Sequence, residues 1–149
     1  MTLALSDVIL KIMRDKETFF KYYRTIAKNN FIGYETKKTL QIWGEWFKEN
    51  EDRVQLDESI LNWAMLAHKF TALDSMRETF KFNVKTALEG DNSELKANFN
   101  ARFTIETAAQ QMKELTDKYY AGELVDLQRE VKEIEKSLQL EEQYDISFE

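Results

Sequence analysis

The chain has 149 residues, a net charge of −6 and no cysteine, with 43% hydrophobic and 32% charged residues. It is long enough for one domain, or one domain with an appendage, to bury a core. The acidic balance argues against a domain whose main task is to grip a phosphate backbone, and the missing cysteines exclude disulfides and thiolate zinc sites. No proline and only four glycines are present, so the residues that punctuate β-turns are scarce and the expected class is all-α.

In chain order, Ser6 is placed to cap a short amphipathic helix carrying Leu5, Val8, Ile9, Ile12 and Met13. Asp15 opens a second, with Phe19, Tyr22, Tyr23 and Ile26 on one face, broken by Asn29, Asn30 and Gly33, where Phe31 and Ile32 are expected to tuck into the core. A third runs from about Glu35 to Asn50 with Leu40, Trp43 and Phe47 as its stripe, flanked by Ile42 and Trp46. After the polar connector 51–55, Asp57 caps a fourth through Ile60, Leu61, Ala64, Met65 and Ala67. A fifth pattern uses Phe70, Leu73, Met76, Phe80, Val84 and Leu88 and stops in the turn 89–92.

Ser93 then opens the stretch that organises the C-terminal part. Ala101, Ile105, Ala108, Met112, Leu115 and Tyr119 step by threes and fours, and so do Leu124, Leu127, Val131, Ile134 and Leu138. This is the a/d spacing of helices built to lie along other helices. Gly122 separates the runs as a left-handed cap, and the expected form is an antiparallel helical hairpin. Such a seam closes on its partner arm, on the body of the domain, or on another copy of the chain. The expected organisation is a helical globule at 1–92, a hairpin at 93–140 and an extended tail at 141–149, where Tyr144, Ile146 and Phe148 alternate among acids.

No chemistry declares itself. None of the glycines sits in a phosphate-binding loop pattern. The lone His68 is assigned no role, and a Glu-x-x-His metal pair on two helices is impossible with one histidine. Glu45 with Glu49 and Glu130 with Glu133 read as solvated faces, while Asp126 with Glu130 and Arg129 with Glu133 line the polar side of the seam. Phe19, Phe20, Tyr22 and Tyr23 beside Lys16, Lys21 and Arg24 are the types that clamp single-stranded nucleic acid, but their helical spacing favours core packing. Trp43, Trp46 and Trp63 are core or interface anchors. No catalytic residue, metal or cofactor is expected, no segment reaches the ~20 apolar residues of a membrane span, and a cytoplasmic protein is expected.

Val8-Ile-Leu-Lys-Ile-Met-Arg-Asp-Lys-Glu-Thr-Phe-Phe-Lys-Tyr-Tyr, then Asn30-Phe-Ile, then Thr39-Leu-Gln-Ile-Trp-Gly-Glu-Trp-Phe and Leu56-Asp-Glu-Ser-Ile-Leu, resemble in order the N-terminal domain of DnaB-type hexameric replicative helicases, especially those of large tailed bacteriophages. Just before the last of these segments the family has a proline where this chain has Val54 and Gln55. The arms Leu95–Tyr119 and Leu124–Leu138 and the closing Asp145-Ile-Ser-Phe-Glu look like the family's hairpin and the start of its linker. The resemblance implies a chain cut before an ATP-dependent motor, and a collar domain without chemistry of its own. It further implies self-association through Leu124, Leu127, Val131, Ile134 and Leu138, a linker docking through Ile146 and Phe148, and a primase or helicase loader as partner, with at most weak DNA contact. A stand-alone helical adaptor, such as a helicase loader or small phage regulator, is the alternative.

Overall fold

A computed structural model of the chain describes residues 3–67, 69–70, 74–123 and 126–137. Among them are seven helices: α1 (Leu5–Ile12), α2 (Lys16–Lys28), α3 (Tyr34–Glu49), α4 (Ser59–Leu66), α5 (Met76–Leu88), α6 (Ser93–Tyr120) and α7 (Leu127–Ser137). The only β-type pairing among the described residues is one antiparallel bridge between Asp15 and Gln55. His68, Leu73, Leu124, Leu138, Tyr144, Ile146 and Phe148 lie outside the described residues.

Two compact units divide the chain, the first reaching Lys96 and the second beginning at Ala97. In the first, α3 is the central helix. It buries Leu40, Ile42, Trp43, Trp46 and Phe47 and packs on α1, α2, α4 and α5, while α1 packs most heavily on α5. Three of every four residues along this stretch of α3 turn inward, more than a one-sided stripe provides, because neighbours cover it from several sides. Phe19 of α2 meets Phe47 with ring centroids 5.4 Å apart. A buried hydrogen bond, Asn83 Nδ2 to Thr39 Oγ1 at 2.9 Å, ties α5 to α3.

Aspartates start several of these helices by a shared device. The first N–H groups of a helix lack intrahelical acceptors, and Asp57 Oδ1 accepts from Ser59 N, Asp74 Oδ1 from Met76 N and Asp91 Oδ1 from Ser93 N. In α7 the N-cap Asp126 accepts from Arg129 N at 3.2 Å, the third position of the helix. Three boundaries differ from those expected. Ser6 lies inside the first turn of α1 rather than capping it, since Val8 N already bonds to Ala4 O. The fifth helix begins at Met76, where the Asp74 turn starts it; Phe70 precedes it and still packs its ring 5.1 Å from Phe80. Phe31 is 38% exposed rather than tucked in, because Asn29 Oδ1 accepts the Phe31 N–H and holds the chain in an Asx turn at the surface.

The second unit carries the greater part of α6, a helix of 28 residues spanning about 42 Å, followed by α7. Glu123 N donates to Lys118 O and Gly122 N to Tyr119 O, both at 3.1 Å, with Gly122 at φ +79°. This is the Schellman cap that the glycine's position predicted. No atom lies within 4 Å of where a Cβ on Gly122 would sit, so substitution meets backbone strain and no clash. Gly122→Ala is expected to cost about 1 kcal/mol at this helix end, seen as faster amide exchange at 122 and 123 with the first unit's melting unchanged.

Candidate functional site

The regular stripes of α6 and α7 are the feature that no core absorbs among the described residues. On α7, Leu127 is 60% and Val131 45% exposed, while Ile134 is half-buried. Of the five seam residues expected to self-associate, these three fall in the described chain. On α6 the stripe behaves alike: Ile105 is 63% and Met112 52% exposed, Tyr119 is exposed, and Ala108 and Leu115 are half-buried. Large apolar side chains thus repeat along one helical line in water, a pattern distinct from the single scattered exposure normal for any protein.

The face that α6 does bury is a different one. Phe99 and Phe103 are buried, their rings 5.3 Å apart. Each sits two positions from a residue of the Ala101–Ile105 line, so the helix presents two apolar faces in its first half. The sequence reading missed this pair because it followed the longer, more regular stripe. The signal was there: two phenylalanines four residues apart fall on one helical face.

Electrostatics trims the seam. Glu130 stands in the first turn of α7 and Lys136 in its last, each on the side that favours its charge against the helix dipole. Arg102 and Glu106 pair at 2.9 Å along α6. Such exposed pairs contribute only a few tenths of a kcal/mol.

The first unit holds a polar junction that the sequence did not reveal. Asp15 stands at the N-cap of α2 yet makes no side-chain cap. Its carboxylate instead accepts from Lys96 Nζ at 2.7 Å, Gln55 Nε2 at 2.9 Å and Asn92 Nδ2 at 3.1 Å. Beside it, Lys11 Nζ donates to Thr86 O and Glu89 O, and Arg14 Nη1 to Ala87 O. These cations satisfy the open carbonyls at the end of α5. The junction fastens the turn between α1 and α2 to the turn between α5 and α6, and that work is structural.

The remaining sequence candidates fall as follows. Phe19 and Tyr22 are buried, and Phe19 stacks on Tyr23 at 5.1 Å, so these rings form core. Trp43 and Trp46 are buried; Trp63 is half-buried, with the Lys69 ammonium 5.5 Å from its ring centre. Glu45 is not on a solvated face: it pairs with Lys69 at 2.7 Å, both partly buried, because the segment after α4 comes down on α3. Burial, and then the Glu45 charge, push the Tyr23 phenol above its ordinary pKa. Among the described residues no group of acids and histidines is disposed to hold a metal ion, and no helix is long and apolar enough to cross a membrane.

Comparison of the chain with protein-family models, with curated proteins and with solved structures returns no match.

Proposed function

We propose that this chain is an oligomerisation and partner-binding domain of the collar type that the resemblance to replicative helicases implies. The observation that carries the reading is the exposed apolar line on α7, continued in kind on α6. Helix α7 exposes Leu127 and Val131 along its apolar line, and in proteins most helical stability comes from packing an amphipathic face rather than from propensity. In this reading α7 folds back along α6, so that the Met112, Leu115 and Tyr119 line of α6 and the Leu127, Val131 and Ile134 line of α7 belong to one seam. A pair of helices has a single seam, however, and each seam residue keeps one flank in water. A second hairpin from another copy covers those flanks as a four-helix bundle. Covering the half-exposed side chains contributes about 1 kcal/mol apiece. Set against an association cost of roughly 4–15 kcal/mol, this supports reversible self-association rather than a permanent dimer. Further surface of the collar is then left for a primase or loader.

The test is the concentration dependence of mass in solution. The native chain is expected to associate at micromolar to tens of micromolar concentrations by light scattering or sedimentation. Val131→Asp and Ile134→Asp are each expected to weaken association at least tenfold with the melting of the first unit unchanged. A native chain that stays monomeric at about 100 μM, or aspartate variants that associate as before, would remove the reading.

A further inference from the structure

Asp57, Asp74 and Asp91 each give a carboxylate oxygen to the start of the helix that follows, and Asp15 does not. Its backbone is nevertheless set for the task. Asp15 is extended at φ −89° and ψ 125°, as a capping aspartate must be, and its carbonyl already accepts from Phe19 N at 2.8 Å. Lys16 N donates to Val54 O at 2.9 Å. Glu17 N and Thr18 N, the second and third amides of α2, meet no acceptor among the described residues. These are the two groups that an N-cap carboxylate serves. The cap position, the conformation and the open amides are all present, and the side chain is turned elsewhere.

Its present position depends on one charge. Of the three donors to the Asp15 carboxylate, Lys96, Gln55 and Asn92, only Lys96 is a cation. Asn92 Nδ2 has a second acceptor in Lys11 O at 2.8 Å. Without the ammonium, two neutral amides hold the carboxylate in the junction. Two uncapped amides and the positive end of the α2 dipole pull it the other way. The Glu17 carboxylate in that first turn opposes a second anion there, but it is exposed and water weakens the repulsion. Space for the turn is present as well: a cleft of about 550 Å³, lined by Asp15, Glu17, Thr18 and Lys96 among others, opens beside the carboxylate. Lys96 is partly exposed, so its ammonium has water to turn to.

We propose that Asp15 is a two-position latch: paired with Lys96 it holds the first turn of α6, and without that pairing its carboxylate turns to cap α2. The first unit reaches Lys96 and the second begins at Ala97, so the latch acts on the residue where the chain passes from one to the other. Chemistry that neutralises or draws off the Lys96 ammonium frees the start of α6, and the cap that α2 gains offsets part of the loss. The device stands on the first unit alone and does not draw on the seam of α6 and α7.

Amide hydrogen exchange of the full chain, followed residue by residue by NMR, tests this. Lys96→Met keeps the length of the side chain and removes its charge. It should slow exchange of the Thr18 amide about fivefold, the worth of a typical N-cap. In the same variant the amides at positions 96 and 97 should exchange about threefold faster or more, as the first turn of α6 is let go. Adding Asp15→Ala to Lys96→Met should abolish the protection at Thr18, because that variant has no carboxylate to turn. Circular dichroism checks the fold of each, and Lys96→Ala takes the place of Lys96→Met if the methionine variant does not fold. Thr18 exchange unchanged by loss of the Lys96 charge would overturn the proposal, as would Thr18 protection that survives the double variant. Protection at Thr18 without faster exchange at 96 and 97 would show a cap and no latch, and equally overturns it.

Discussion

Replacing Trp43 with alanine is expected to lower the stability of the first unit by about 3–5 kcal/mol, while replacing it with phenylalanine is expected to cost little. Trp43 is fully buried on α3, the helix on which α1, α2, α4 and α5 converge. Truncating a buried tryptophan to alanine removes its transfer energy and leaves a cavity that neighbouring helices close only in part, together about 3–5 kcal/mol. Against a typical domain stability of about 5–15 kcal/mol this is a large share, and at about 4 °C or more per kcal/mol for a unit of this size it lowers the melting temperature by roughly 12–20 °C or more. The phenylalanine variant separates packing from polarity. The Trp43 indole Nε1 is buried and finds no acceptor among the described residues, which costs the native fold about 1–3 kcal/mol. Phenylalanine leaves a smaller gap and removes that unpaired donor, so the two effects offset. Urea titrations of the native chain and both variants check this. A phenylalanine variant as unstable as the alanine variant would show that the indole N–H has found a partner after all.

The all-helical class was legible because it depends on what the chain lacks: with no proline and four glycines, little interrupts a helical repeat. The core of α1 to α3 was legible for a related reason, since Val8, Ile12, Phe19, Ile26, Leu40 and Phe47 repeat at helical spacing and all are buried. The Gly122 cap could be read from one residue, because the left-handed position after a long helix selects glycine. Phe31 could not. Nothing in its apolar character says that Asn29 will hold its N–H and turn the segment outward. Phe99 and Phe103 were legible as a face of α6 but not as its buried one, since the helix carries two apolar faces and periodicity alone does not rank them. The Asp15 junction was hidden for a deeper reason: Gln55, Asn92 and Lys96 stand 40, 77 and 81 residues away. The packing of α1 on α5 brings Asn92 and Lys96 to the carboxylate, and the antiparallel bridge between Asp15 and Gln55 brings the third partner. The exposed line on α7 lies between these cases. Its spacing announces a helix with a partner, and spacing carries no information about which partner.

Asp15 supplies the second large effect, and one that depends on pH. Its side chain is 11% exposed and accepts hydrogen bonds from three residues, one of them charged. Asp15→Ala strands the amide donors of Gln55 and Asn92 in a confined place and is expected to cost about 3 kcal/mol at pH 7. Asp15→Asn keeps the shape and one acceptor oxygen but withdraws the charge facing Lys96, and is expected to cost about 1–2 kcal/mol. Lys96 is 39% exposed and can turn to water, which keeps this loss below that of a fully buried pair. Burial alone would raise the Asp15 pKa, but the Lys96, Asn92 and Gln55 hydrogen bonds and the Lys96 charge outweigh it and hold the group below its ordinary 3.8. A carboxyl that is more acidic folded than unfolded contributes its stability above the unfolded value and loses it as pH falls through the folded one. The native chain should therefore exceed Asp15→Asn in stability by a constant margin from about pH 6 to 8. That margin should shrink below about pH 4, where the native carboxyl takes up its proton and the variant has none to take. Urea midpoints at pH 7, 5, 4 and 3 decide it: a margin that persists undiminished to pH 3 would mean that the shape of the junction, and not its charge, fastens the two turns together.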